Sequence, residues 1–91
     1  MFFDVTAAQH VHGYQIRLEF RDGSSGVADL AGYAARDNVF RAFRDSDYFR
    51  GFRIELGTLV WGEGELDIAP ETLYEKATGG VVAYSQEKSR V

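Results

Sequence analysis

The clearest pattern along the chain is the alternation in YQIRLEFR. Tyr14, Ile16, Leu18 and Phe20 are apolar, while Gln15, Arg17, Glu19 and Arg21 between them are polar. Successive side chains on a strand point to opposite faces, so strict period two predicts a strand with one buried and one wet face. Upstream, Phe3, Val5 and Ala7 alternate with Asp4 and Thr6, which predicts a short first strand, and HVHG reads as the turn after it. Downstream, DGSSG supplies a hairpin turn at Asp22 and Gly23, and Val27 with its neighbours pairs back as a third strand.

From Asp29 the period lengthens. Asp29 is placed to cap a short helical turn through Tyr33, and Asp37 or Asn38 to cap a second helix. In that helix Val39, Phe40 and Phe43 share a face, with Arg41 and Arg44 pointing away. DSDYFRG predicts one further turn, ended by Gly51. Phe52 and Ile54 alternate with Arg53 and Glu55 as a fourth strand, LGT turns the chain, and LVW begins a fifth. Pro70 suits the first position of a last helix, with Glu71 in its first turn. Leu73, Tyr74 and Ala77 of that helix would face the sheet, and Gly79 and Gly80 end it.

The order predicts an α+β fold: one small domain over residues 1–78 with a single antiparallel sheet of about five strands, β-β-β-α-β-β-α, and helices packed on one face. Residues 79–91, GGVVAYSQEKSRV, read as a tail, with a frayed end and an added edge strand both open.

Composition sharpens this picture. At 91 residues with 45% hydrophobic content, the chain has the makings of one globular domain. Seven Phe, five Tyr and one Trp supply the buried area that so small a core needs. The absence of Cys excludes disulfides, thiolate catalysis and Cys-ligated zinc. MFFDVTAAQ has neither a basic start nor a signal-like apolar run, and no segment approaches the roughly 20 apolar residues of a membrane span. A cytoplasmic protein without membrane association is expected.

The formal net charge is -4, unevenly distributed. Arg36, Arg41, Arg44, Arg50 and Arg53 stand against Asp37, Asp45 and Asp47 in one region. Glu55, Glu63, Glu65, Asp67, Glu71 and Glu75 follow with no intervening Lys or Arg. Such an acidic strip suits a basic partner, although solvated acidic surfaces are common. The arginines lie among Phe40, Phe43, Tyr48, Phe49 and Phe52, an interleaving that single-strand-binding proteins use. Helical spacing assigns those aromatics instead to the core, and the acidic balance argues against general affinity for nucleic acid.

Enzyme signatures are absent. His10 and His12 share one side of an unbroken strand, a spacing that metal sites use, but no further ligand can be placed beside them. EGELDIAPE has alternating carboxylates yet lacks the central Gly and closing Glu of a calcium loop. The serines lie outside any nucleophile elbow, and GEG alone is no phosphate loop. No catalytic residue, metal or cofactor is expected.

Taken in order, YQIRLEFRDG, GVADL, VFRAFRDSDYFRGFRIE and LVWGEGELDIAPETLY resemble the small bacterial family called domain of unknown function 2442. The features that carry the resemblance are Phe20, Asp22, Gly23, Asp29, Leu30, Phe40, Phe43, Phe49, Phe52, Trp61, Gly64, Asp67, Leu73 and Tyr74, across roughly residues 3–77. Phe43 stands where the family usually has Leu, and Ala69 where a polar cap is common. The resemblance implies an α+β fold with Trp61 and Tyr74 in its framework and residues 62–70 as a strand-to-helix connection. It carries no catalytic residues. Relatives found beside another small protein, in an arrangement like a toxin–antitoxin pair, imply a non-enzymatic interaction module with a small protein partner. The acidic strip or an open sheet edge would make the contact. The alternatives are a regulatory nucleic-acid-associated domain using the five arginines, and a small-molecule or metal-binding protein. Open edges of a small sheet also allow a homodimer.

Overall fold

The computed structural model describes residues 3–79. The chain folds as α+β, but its strands form two three-stranded antiparallel sheets rather than the single sheet of five expected. The first sheet is β1 (Val5–His12), β2 (Gln15–Phe20) and β3 (Ser25–Asp29), with β2 central. The second is β4 (Arg53–Glu55), β5 (Thr58–Trp61) and β6 (Leu66–Ile68), with β5 central. β6 lies inside the stretch expected to be a plain connection. Its three residues are too short to show a period, yet Leu66 and Ile68 are buried and Asp67 is exposed. The sheets meet where β1 begins, through a 2.8 Å bond from the Val5 amide to the Gly57 carbonyl.

β2 behaves as its alternation demands: Ile16, Leu18 and Phe20 are buried and Arg17 and Glu19 exposed. β1 does not keep one phase. Val5 faces Phe20 and Ala7 faces Glu19, so Thr6 is an extra residue, and Ala7 moves to the wet face instead of joining Phe3 and Val5. A second irregularity at Val11 sets His10 opposite Ile16 and His12 opposite Gln15. The strand therefore runs through HVH, and the turn falls at Gly13 and Tyr14, where Gly13 adopts φ 54°.

Asp29 Oδ1 accepts from the Ala31 amide at 2.9 Å in the turn ahead of α1 (Ala31–Ala34), but the N-cap position expected for Asp29 falls to Leu30, which has no side-chain cap. The next segment, Val39–Arg44, is a 3₁₀ helix capped by Asn38. Three residues per turn stack Phe40 over Phe43 and swing Val39 aside, so Val39 is exposed rather than packed with them. Asp45 caps α2 (Ser46–Arg50), accepting from the Asp47 and Tyr48 amides.

Trp61 is fully buried and donates Nε1–H to the Phe49 carbonyl at 2.7 Å. Its ring lies 4.6 Å from Phe43, 6.0 Å from Phe49 and 6.3 Å from Phe52 between centroids. This aromatic cluster joins the second sheet to the helical segments. On the other side, α3 (Pro70–Thr78) lies over β3 and β2. Leu73 is buried, and Tyr74 and Ala77 pack against the core. Gly26 makes the approach possible, because a Cβ there would overlap the Ala77 carbonyl. Gly79 ends the helix with φ 77°. The tail expectation falls on residues 80–91, outside the described residues.

Candidate functional site

The β4–β5 hairpin turns through two residues, Leu56 and Gly57, between the pair Glu55 and Thr58. Both have positive φ, 51° and 78°, the type I′ geometry that matches the twist of a hairpin. That geometry favours Asn, Asp or Gly at both positions, yet Leu56 stands at the first and is fully exposed. Gly57 is the sterically required member, since a Cβ would come within 2.7 Å of the Asp4 carboxylate. Ile54, the preceding strand residue, is also partly exposed. The hairpin tip thus presents an apolar side chain from a strained backbone.

The acidic residues do not form one unbroken strip. Glu55 is ion-paired with Arg53, whose guanidinium also donates to the Gly62 carbonyl. Glu65 folds back over the β5–β6 turn, accepting from the Tyr48 hydroxyl at 2.8 Å and from the Glu63 amide at 2.8 Å. Those bonds hold the Glu65 carboxyl below the usual glutamate range, the Tyr48 bond contributing most. The carboxylate occupies the space beside Gly62 where a Cβ would lie. Glu63 and Asp67 are exposed, and Asp67 shares a cross-strand row with Val60 and Arg53. Glu71 and Glu75 are half-buried on α3, away from the turn in sequence.

Each of the five arginines makes a local contact. Arg36 stacks over Tyr33 at 4.2 Å, and Arg41 pairs with Asp37 at 3.4 Å. Arg44 donates Nε–H to the Ala34 carbonyl at 2.8 Å, closing the end of α1. Arg50 pairs with Asp47 at 2.9 Å, and Arg53 bridges Glu55 and Gly62. These contacts are local, and the Arg41, Arg50 and Arg53 side chains stay 61%, 52% and 42% exposed within their ion pairs.

The bulge at Val11 separates the two histidines. Antiparallel partners share a face, so His10 lies on the side of Ile16 and His12 on the side of Gln15. His10 Nε2 is 3.0 Å from the Gly13 carbonyl, and its ring meets Phe49 edge-on at 6.2 Å. Among the described residues, no three His, Asp or Glu converge as a metal site. Along β1 and β2, Ala7, Ala8, Gln9, Arg17 and Glu19 line a shallow depression of about 130 Å³. No helix among the described residues is long and apolar enough to cross a membrane.

Sequence reasoning did not single out Leu56, and it read Tyr48 only as one of the aromatics among the arginines. Leu56 was legible as a bulky apolar residue in a Leu-Gly turn, where Asn-Gly is the ordinary choice. Tyr48 gives no such sign, because its partner Glu65 is distant along the chain.

Two antiparallel sheets with helices laid across them define a small α+β domain. The model of the family described as Protein of unknown function (DUF2442) matches residues 5–79, and the chain belongs to that family. Neither a curated protein nor a solved structure matches the chain.

Proposed function

We propose that the protein acts by binding another small protein, as the acidic half of a two-protein system, through the β4–β5 hairpin and the exposed carboxylates of the same sheet. The observation that carries this reading is Leu56. A left-handed leucine costs about 1 kcal/mol of backbone strain, and full exposure returns none of it within the fold. A partner with an apolar socket would recover that cost by burying the side chain. Exposed Asp67, in the middle of β6, and Glu63, in the turn at the far end of the same sheet, favour basic groups on the partner along the sheet rather than around the socket. Glu65 is excluded from the contact set because its carboxylate serves the turn.

The test is co-expression with the product of the adjacent reading frame, followed by size exclusion with light scattering. The expected result is a stoichiometric complex, weakened by Leu56→Asn and by the pair Glu63→Lys and Asp67→Lys. Absence of a complex, or one indifferent to both sets of substitutions, would remove the reading.

A further inference from the structure

The outer strands of the two sheets are unequally protected. β1 is interrupted by two irregularities and meets the β4–β5 turn at its start. β4 and β6 have three residues each. β3 has five residues, pairs with β2 in unbroken register, and contains neither Pro nor Lys. Natural sheets blunt their edges with bulges, Lys, Pro or brevity, because an unpaired edge templates another strand. Apart from Asp29 at its end, β3 carries none of these devices.

The direction of its backbone groups follows from the ladder. The Phe20 amide bonds the Ser24 carbonyl at 2.9 Å, and the Leu30 amide bonds the Tyr14 carbonyl at 2.9 Å. Hydrogen-bonded pairs recur at every second residue, so Leu18 with Gly26 and Ile16 with Ala28 are the bonded pairs between them. Ser25, Val27 and Asp29 therefore turn their N–H and C=O groups away from β2. The Val27 side chain sits on the wet face and is 42% exposed.

The edge is also self-complementary. An antiparallel second copy, related by a two-fold axis at Val27, sets Val27 against the partner's Val27 and Ser25 against the partner's Asp29. The centre is apolar, a hydroxyl faces each carboxylate, and no like charges meet. Gly26 faces the partner's Ala28 on the core side, where small residues leave room for the overlying helices.

We propose that β3 is a dimerisation edge: two copies join antiparallel through Ser25–Asp29 into one sheet continuous across both. This contact belongs to the first sheet and does not depend on the hairpin reading; Leu56→Asn should leave it intact.

The test uses the full chain. Sedimentation across a concentration series should show a reversible dimer. Amide exchange should slow at Ser25, Val27 and Asp29 as the dimer fills. Val27→Lys places two ammonium groups face to face and should weaken the dimer about tenfold or more. Unchanged exchange at Ile16 and Leu18 would show that the variant remains folded. Three outcomes overturn the proposal. One is a monomer with fast exchange at the three amides. Another is slow exchange there at every concentration in a monomer, which assigns the edge to the chain's own remaining residues. The third is a dimer indifferent to Val27→Lys with fast exchange at these amides, which assigns it to another face.

Discussion

The Tyr48 hydroxyl donates a 2.8 Å hydrogen bond to Glu65 and thereby ties α2 to the turn between β5 and β6. Each group shifts the other's titration. Burial, then the bond to Glu65 and its charge, push the Tyr48 phenol up to about 12. Glu65 is shifted the opposite way, below its ordinary value of 4.5. A lowered carboxylate stabilises the fold above its unfolded value, and that contribution disappears as pH falls through the folded value. A raised phenol stabilises the fold below pH 10, and the contribution is lost as pH climbs from 10.0 to about 12. Tyr48→Phe should raise the Glu65 midpoint toward 4.5 in a carboxyl NMR titration and remove this phenol's part of the alkaline loss. An unmoved Glu65 midpoint would contradict the assignment.

Leu56→Asn should stabilise the isolated protein. Asn tolerates the left-handed φ of 51° better than Leu, and Asn-Gly is the preferred type I′ pair. The gain expected in urea unfolding is about 0.5–1 kcal/mol. A loss of stability would show that Leu56 contributes to the fold despite its exposure.

Gly26→Ala should have the opposite sign. The added methyl overlaps the backbone of Ala77, which cannot rotate aside as a side chain could. Separating α3 from β3 also strains the Tyr74 hydroxyl bond to Asp22, which is 2.7 Å long. Denaturation should show a loss of about 2–3 kcal/mol. Wild-type stability in this variant would mean that the helix lies farther from the strand.

Trp61→Phe tests the aromatic cluster. It removes the Nε1 donor to the Phe49 carbonyl and leaves space beside Phe43. About 2–4 kcal/mol should be lost in urea unfolding, mostly through the cavity and the lost donor. A change below about 0.5 kcal/mol would place the ring outside the core.

Removing the Asp45 cap should cost about 1 kcal/mol, because its carboxylate serves two amides at the start of α2. Asp45→Ala compared with Asp45→Asn in thermal unfolding separates capping from charge. Asn should retain most of the stability; equal losses in both variants would refute capping as the cause.

Much of this architecture was legible locally. The alternation of β2 declared its buried face, Asn38 declared its cap, and Pro70 with Gly79 marked the ends of α3. These signals need only neighbours within a few residues. The proposed interaction surface was less legible: Glu63 and Asp67 are exposed, but Glu65 is committed to Tyr48 and Glu55 to Arg53. Charge along a sequence does not reveal which groups are already paired.

The sequence by itself determined the α+β class, the face that β2 buries and the aromatic supply of the core, because period and composition are local properties. Tertiary structure decided the phase of β1, where Thr6 and Val11 each shift the pairing, and so parted His10 from His12. It also recruited Leu66–Ile68 as a strand, divided the strands into two sheets and tightened Val39–Arg44 into a 3₁₀ turn. The physical reason is that a bulge, a three-residue strand or an ion pair is selected by its partner across the fold.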